Sequence, residues 1–318
     1  MNYFIFNFTT HNHLIDSFLK SSAEAHGHKE VKTAEWFYWK FRDNPFGKTI
    51  LACAEEDGII AGCVAYGIQD FVFHSKIIKG AMAFENFVHP NFQGKGIFKK
   101  LIKVVEKEAI NRDIKLLLVF PNSKSLPGYL SLGWFQLNNI EYWIKPNSIF
   151  DIAFNFKNLR NGFKPNNANF DLLDKKIFNH YKQNIEKGFF SKIDTDYLIW
   201  RFLSFPNTEY VILNDTNCFS VGRVGKRGNF TEVQVLFVTP KDSNKFSLKN
   251  VLKSYKKKLK YDLISFPISK NNRLKPALKR NLFFKVPNST NVCYKILDES
   301  LKLEMNQIEL SAINFHTY

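Results

Sequence analysis

The sequence predicts an α/β chain with mixed parallel and antiparallel sheets, built as two copies of one module. Three observations carry that expectation. At 318 residues the chain is about twice the length of an ordinary domain. Short motifs recur in the same order in both halves. Trp39-Lys40-Phe41 with Asn44-Pro45-Phe46 returns as Trp200-Arg201-Phe202 with Phe205-Pro206-Asn207, and Phe87-Val88-His89-Pro90 returns as Phe237-Val238-Thr239-Pro240. Phe120-Pro121-Asn122-Ser123-Lys124 is echoed by Phe266-Pro267-Ile268-Ser269-Lys270. Ordered self-similarity of this kind points to duplicated architecture. Helix-period and strand-period segments also follow one another in a common order in the two halves.

In the first copy, 13–25 and 34–41 read as helices, the second stopped by Asp43-Asn44-Pro45. Strands are expected over 50–55 and 59–67, joined by a hairpin at Asp57-Gly58, and over 81–89. Ile97, Leu101, Val104 and Val105 recur at helical spacing over 96–111, and the continuous apolar run 114–120 suits a central strand. A short helix over 125–132 and a hairpin over 135–144, turning at Asn138-Asn139, close the copy. The second copy reads as helices 171–187 and 194–202, strands 210–213, 218–224 and 231–238, helix 247–260, strand 261–266 and helix 272–281. The join falls within 145–165, bracketed by prolines, which sets the domains at 1–150 and 151–318.

Composition narrows the class. The chain is 45% hydrophobic with 33 Phe, ample for two packed cores. The apolar runs are strand-length, so no membrane span is expected. The N-terminal segment lacks the pattern of a signal peptide. Cys53, Cys63, Cys218 and Cys293 have no close spacing, which predicts buried thiols in a reducing cytoplasm rather than disulfides or a metal site. The net charge of +16 is uneven: 17 Lys/Arg face 14 Asp/Glu in residues 1–150, and 28 face 15 in the rest. The resulting +13 half draws anions. The abundance of Lys, Asn, Phe and Ile is also what AT-rich codon usage produces, and no dedicated nucleic-acid surface is expected.

Chemistry concentrates in 83–98, a strand followed by a bend and a glycine-bearing turn that opens a helix. Unpaired N–H groups and the positive dipole end at a helix N-terminus form a cradle for phosphate. Gly94 and Gly96 let the backbone curl towards an anion, and Lys95 adds charge. The stretch resembles the Arg/Gln-x-x-Gly-x-Gly/Ala signature of the GNAT (Gcn5-related) N-acetyltransferase superfamily, matched at Gln93 and Gly96 and preceded by the family's Val-x-Pro as Val88-His89-Pro90. Phe98 departs from it, standing where a small residue is usual. Downstream, Asn122, Ser125, Tyr129 and Gly133-Trp134 match a second family pattern.

The resemblance implies a tandem GNAT-like fold and an acyltransferase with acetyl-CoA, or another acyl-CoA, as co-substrate and no metal. It places the pyrophosphate on Gln93, Gly94, Lys95, Gly96, Ile97 and Phe98, and the pantetheine arm on Asn122, Ser125 and the backbone of Phe87 and Val88. It makes Tyr129 the acid that protonates the leaving thiolate, a role suited to a phenol that keeps its proton at neutral pH. Glu85, a carboxylate in an apolar strand, is the candidate base for an amine acceptor, with ion pairing to Lys or Arg as the rival explanation. His89 reads as a strand-end residue.

The second copy has Lys241-Asp242-Ser243-Asn244-Lys245 in place of the glycine turn and Ile268 at the position of Asn122. One acyl-CoA site per chain follows, beside a degenerate copy. Two other readings compete. A dinucleotide site would use Gly94-x-Gly96, but Lys99 stands where a third small residue is needed. A non-catalytic binding or regulatory protein could keep the fold and use the basic half. No motif identifies the acceptor; an amino sugar or sugar nucleotide suits the positive half.

Overall fold

The computed structural model describes residues 1–27, 32–148, 159–165, 178, 181, 188–204, 210–214, 218–241 and 246–315. In chain order the first half forms β1 (Asn2–Ile5), α1 (Ile15–Ala25), α2 (Ala34–Phe41), β2 (Ile50–Glu56), β3 (Ile59–Phe73), β4 (Lys76–Val88), α3 (Ile97–Asn111), β5 (Leu116–Val119), α4 (Leu126–Leu130) and β6 (Phe135–Pro146). The remainder forms β7 (Lys164–Pro165), β8 (Phe189–Ser191), α5 (Thr195–Phe202), β9 (Tyr210–Asn214), β10 (Cys218–Arg227), β11 (Phe230–Pro240), α6 (Leu248–Lys258), β12 (Leu263–Ile268), α7 (Lys275–Arg280), β13 (Phe284–Ile296), β14 (Ile308–Glu309) and α8 (Ala312–Phe315). The helix expected over 171–187 and the boundary expected near Phe150 lie outside the described residues.

Local chemistry sets the repeated starts. Thr33 accepts the Trp36 N–H at 3.2 Å to begin α2, and Asp194 accepts the Tyr197 N–H at 2.9 Å to begin α5. Asp57 and Gly58 take φ 54° and 77°, the left-handed pair that a tight hairpin between β2 and β3 requires. The β3–β4 hairpin uses the same conformation at His74 and Ser75, φ 47° and 67°, with no glycine. Both strands therefore run beyond the limits of 59–67 and 81–89 that the sequence suggests.

Two compact units emerge: Met1–Leu137 with Asn291–Leu303, and Asn138–Thr290 with Glu304–Tyr318. In the first, β1 to β4 are antiparallel neighbours, β4 runs parallel to β5 over Gly80–Met82 and Leu116–Leu118, and Cys293–Ile296 of β13 pairs antiparallel with β5. In the second, β9, β10 and β11 are antiparallel, and β11 runs parallel to β12 over Glu232–Gln234 and Leu263–Ser265. Glu141–Pro146 of β6 pairs antiparallel with β12. The two units share one pattern, and each takes its closing strand from the other half of the sequence.

The hairpin expected over 135–144 is a correction. Residues 135–146 form one continuous strand, because neither Asn138 nor Asn139 takes the positive φ of a two-residue turn. The cores include the exchanged strands. Cys293 packs with Ile97, Leu101, Val105, Leu117 and Tyr129 in the first unit, and Trp143 packs with Val233, Val251, Tyr255 and Ile264 in the second. All four cysteines are buried thiols outside any disulfide. Among the described residues no helix is long and apolar enough to cross a membrane, and no His/Cys/Asp/Glu group has the arrangement of a metal site.

Candidate active site

The end of β4 is irregular. Pairing with β3 shifts between Cys63, opposite Phe87, and Ala65, opposite Phe84, so two residues of β4 face one of β3 in a bulge at Glu85-Asn86. Glu85 there has φ 30°, a left-handed value that costs energy in a residue with a Cβ. The Cys63 thiol donates to the Glu85 carbonyl at 3.1 Å, and Asn86 Oδ1 accepts the Ala65 N–H at 3.0 Å. Parallel pairing between β4 and β5 stops at Met82 and Leu118. Residues 83–88 therefore carry backbone groups beyond the ladder, among them those of Phe87 and Val88. The Phe87 ring is buried against Phe18, with centroids 5.3 Å apart.

After β4 the chain makes one 3₁₀ turn, Pro90–Phe92, and enters the glycine turn. His89 fixes this bend. Its Nδ1 accepts the Asn91 N–H at 3.2 Å, and its Nε2 lies 2.7 Å from Glu24 of α1. Gly94 and Gly96 take φ 79° and 71°, and space is open where a Cβ would stand on either. Their glycine identity is thus demanded by conformation and not by crowding. Gly96 caps α3 without a side-chain acceptor, so the first-turn N–H groups have no partner within the helix. Residues 93–96 are exposed, and Lys95 Nζ lies 4.9 Å from the centre of the Phe92 ring. Ile97 is buried in the core beneath the turn.

Phe98 packs against α4. Its ring packs edge-on to Tyr129, centroids 5.4 Å apart, and a Cβ added to Gly128 would come within 3.1 Å of it. The large residue in the first turn of α3 is matched by a glycine in α4. Asn122 starts α4: its Oδ1 accepts the N–H groups of Lys124 and Ser125 at 3.0 and 2.9 Å and lies 3.2 Å from Ser125 Oγ. Tyr129 is buried between Phe98 and Trp134, and its hydroxyl accepts from Asn86 Nδ2 at 3.0 Å. Burial pushes its phenol well above the ordinary range. The structure thus brings Tyr129 to the β4 bulge through Asn86, a residue the sequence did not single out. Its only signal was a second polar residue beside Glu85 in an apolar strand.

Glu85 faces α1 and α2. Its side chain is 8% exposed and accepts from Ser22 Oγ at 2.9 Å. Lys32 Nζ donates to Oε1, Lys40 Nζ lies 3.7 Å from Oε2, and His26 Nδ1 lies 4.0 Å from Oε1. Trp36 and Phe84 flank the ammonium groups: Lys32 lies 4.7 Å and Lys40 4.9 Å from the Trp36 ring, and Lys40 5.1 Å from Phe84. Burial opposes ionisation of Glu85, but the Lys40 and Lys32 charges outweigh it and hold the carboxyl down at about 2. A carboxylate so acidic is a weak base at neutral pH. Ion pairing, the rival explanation for a carboxylate in this strand, is what the geometry displays.

Residues 10–134 match the acetyltransferase (GNAT) family. Over 112 residues the chain is 29% identical to thialysine N-ε-acetyltransferase of Mus musculus, a match covering 33% of this chain and 65% of that protein. The whole-chain fold resembles a GCN5-related N-acetyltransferase of Anabaena variabilis, with a TM-score of 0.62 at 12% identity over 93% of this chain and 73% of the other. A probable N-acyltransferase of Enterococcus faecalis gives 0.61 at 12% identity over 93% and 72%. Eis1 of Mycobacterium abscessus gives 0.59 at 10% identity over 94% and 74%. At these identities the structural likenesses speak to the fold alone.

Proposed function

We propose, from the match of residues 10–134 to the acetyltransferase (GNAT) family, that the chain is an acyl-CoA-dependent N-acyltransferase that moves an acetyl group from acetyl-CoA to a primary amine. The observation that carries this reading is the pair of left-handed glycines, Gly94 and Gly96, opening α3 with unpaired N–H groups towards open space. On this reading residues 93–98 hold the pyrophosphate, with Gln93 and Lys95 at its rim. Asn122 and Ser125 flank the pantetheine arm. The backbone of Phe87 and Val88, beyond the β4–β5 ladder, aligns the acyl carbonyl and stabilises its developing negative charge.

The neutral amine nitrogen attacks the thioester carbonyl: the C–N bond forms, the C–S bond breaks, and the proton that the nitrogen sheds on becoming an amide is taken up through solvent by the departing thiolate, to which the Tyr129 hydroxyl donates a hydrogen bond. Glu85 serves as a fixed negative charge that gathers the acceptor's ammonium, in competition with Lys32, and the proton passes to water before attack. Lys32 shows that a primary ammonium fits against Glu85 and Trp36. The +13 charge of residues 151–318 suits an acceptor that also carries anionic groups, such as an amino sugar joined to a nucleotide.

Acetyl-CoA titrated into the protein should raise its Tm in a concentration-dependent way. Gly96→Glu places a Cβ at φ 71° and a negative charge in the cradle. It should abolish the shift while circular dichroism shows the fold intact. Equal stabilisation of both proteins would remove the site assignment.

A further inference from the structure

The second unit carries the same cleft as the first, and it is filled. Pairing of β11 with β12 stops at Gln234 and Ser265, just as β4 leaves β5 after Met82 and Leu118. β11 also bulges at the equivalent point. Val221 pairs with Phe237 and Gly222 with Val235, leaving Leu236 extra immediately before the Phe237-Val238-Thr239-Pro240 repeat. Between the separated strands runs the segment 308–314. Ser311 bridges antiparallel to Ile268 at the end of β12, and Ser311 Oγ donates to the carbonyl of the bulge residue, Leu236, at 2.9 Å. The Ser269 N–H donates to Leu310 O at 2.9 Å, Ser269 Oγ accepts the Leu310 N–H at 3.0 Å, and Asn272 Nδ2 reaches Leu310 O at 3.3 Å. Ile308, Leu310, Ala312 and Ile313 are each no more than 2% exposed. β14 adds parallel pairing to β8, and Glu309 binds the Arg273 guanidinium at 2.8 Å. A cavity of about 120 Å³ remains alongside, lined by Phe190, Phe237, Thr239 and Asn272.

We infer that this second cleft is a polypeptide-binding site whose resident ligand is the chain's own segment 308–314, and that it is closed to acyl-CoA. The chemistry of the filling differs from that of the first cleft. Extended backbone satisfies the strand ends and the bulge carbonyl, apolar side chains fill the depth, and no glycine cradle follows β11 to take a pyrophosphate: Lys241 and Asp242 stand there. Among the described residues nothing comparable lies between β4 and β5. The ligand class is an extended peptide with buried aliphatic residues two apart, a small hydroxyl residue beside the bulge and an acidic residue for Arg273.

The test uses the full chain with a protease site inserted between Leu303 and Glu304, folded first and then cut. A labelled synthetic peptide of residues 304–318 should rebind the cut chain saturably after the released segment is removed, and should fail to bind the uncut chain. A Ser311→Pro peptide should bind at least tenfold more weakly. Acetyl-CoA at saturation should leave peptide binding unchanged. Absence of saturable rebinding to a cut chain that keeps its fold, or displacement of the peptide by acetyl-CoA, overturns the inference. If cutting unfolds the chain, hydrogen exchange on the uncut protein decides: the Leu310 amide should be as protected as β11, and fast exchange there overturns it. The Gly96→Glu protein should behave identically, so loss of the first site leaves this result standing.

Discussion

The Tyr129 hydroxyl accepts its hydrogen bond from Asn86 Nδ2, a group that can only donate, so the phenolic proton is directed elsewhere. Burial raises the phenol while an ordinary thiol lies near 8.5, so full proton transfer to a thiolate runs uphill. Tyr129 then acts chiefly by donating a hydrogen bond to the departing sulfur. Tyr129→Phe should lower kcat about a hundredfold with little change in the KM for acetyl-CoA, in steady-state assays on an amine acceptor. Unchanged kcat would return Tyr129 to a packing role. Glu85 makes a different prediction. Its carboxyl, held at about 2 against an ordinary 4.5, contributes stability that is complete above pH 4.5 and is lost as pH falls towards 2. Glu85→Gln removes the buried carboxylate charge that Lys32 and Lys40 face and should cost about 3–5 kcal/mol at pH 7, the usual penalty for breaking a buried pair. Urea titrations should show that gap narrowing between pH 4.5 and pH 3. A gap independent of pH would mean that the ion pair contributes nothing.

At the scale of elements, legibility follows how local the cause is. The start of α3 was readable because left-handed glycines and an N-terminal turn are properties of a few adjacent residues, and Gly94 and Gly96 adopt that conformation. The caps at Thr33 and Asp194 are local in the same way. The β3–β4 turn has no signal in the sequence because His74-Ser75 takes a conformation usually marked by Asn or Gly. The bulge at Glu85-Asn86 has no sequence signature, since it depends on the register with Cys63 and Ala65 about twenty residues upstream. Phe98 stands where a small residue is usual in the first turn of α3. Its ring is turned onto Tyr129, and Gly128 of α4 is the residue that makes room for it.

For the whole molecule the repeat was legible and the exchange of closing strands was not. Two-fold recurrence of motifs needs only one chain read against itself, whereas the choice between a hairpin at Asn138-Asn139 and one long strand depends on which distant edge is available. In the first unit that edge is β5, whose residues are fully or almost fully buried, and it is covered by Cys293–Ile296. Lys295 adds a bond from Nζ to Glu106 at 2.7 Å, and Asp298 one to Lys115 at 2.9 Å. A fragment of residues 1–150 lacks all of these, leaving Leu116–Val119 with an open, apolar edge. Expressed separately, fragments 1–150 and 151–318 should therefore aggregate or show no cooperative urea transition. Co-expressed, they should purify together and recover one. The informative alternative is a 1–150 fragment that folds by itself: β6 would then have turned back at Asn138-Asn139 to cover β5. Cooperative unfolding of that fragment at the stability of the full chain would show that strand exchange adds nothing to the first unit. Failure to fold until residues 151–318 are supplied would make the two halves obligatory partners, since neither contains its own closing strand.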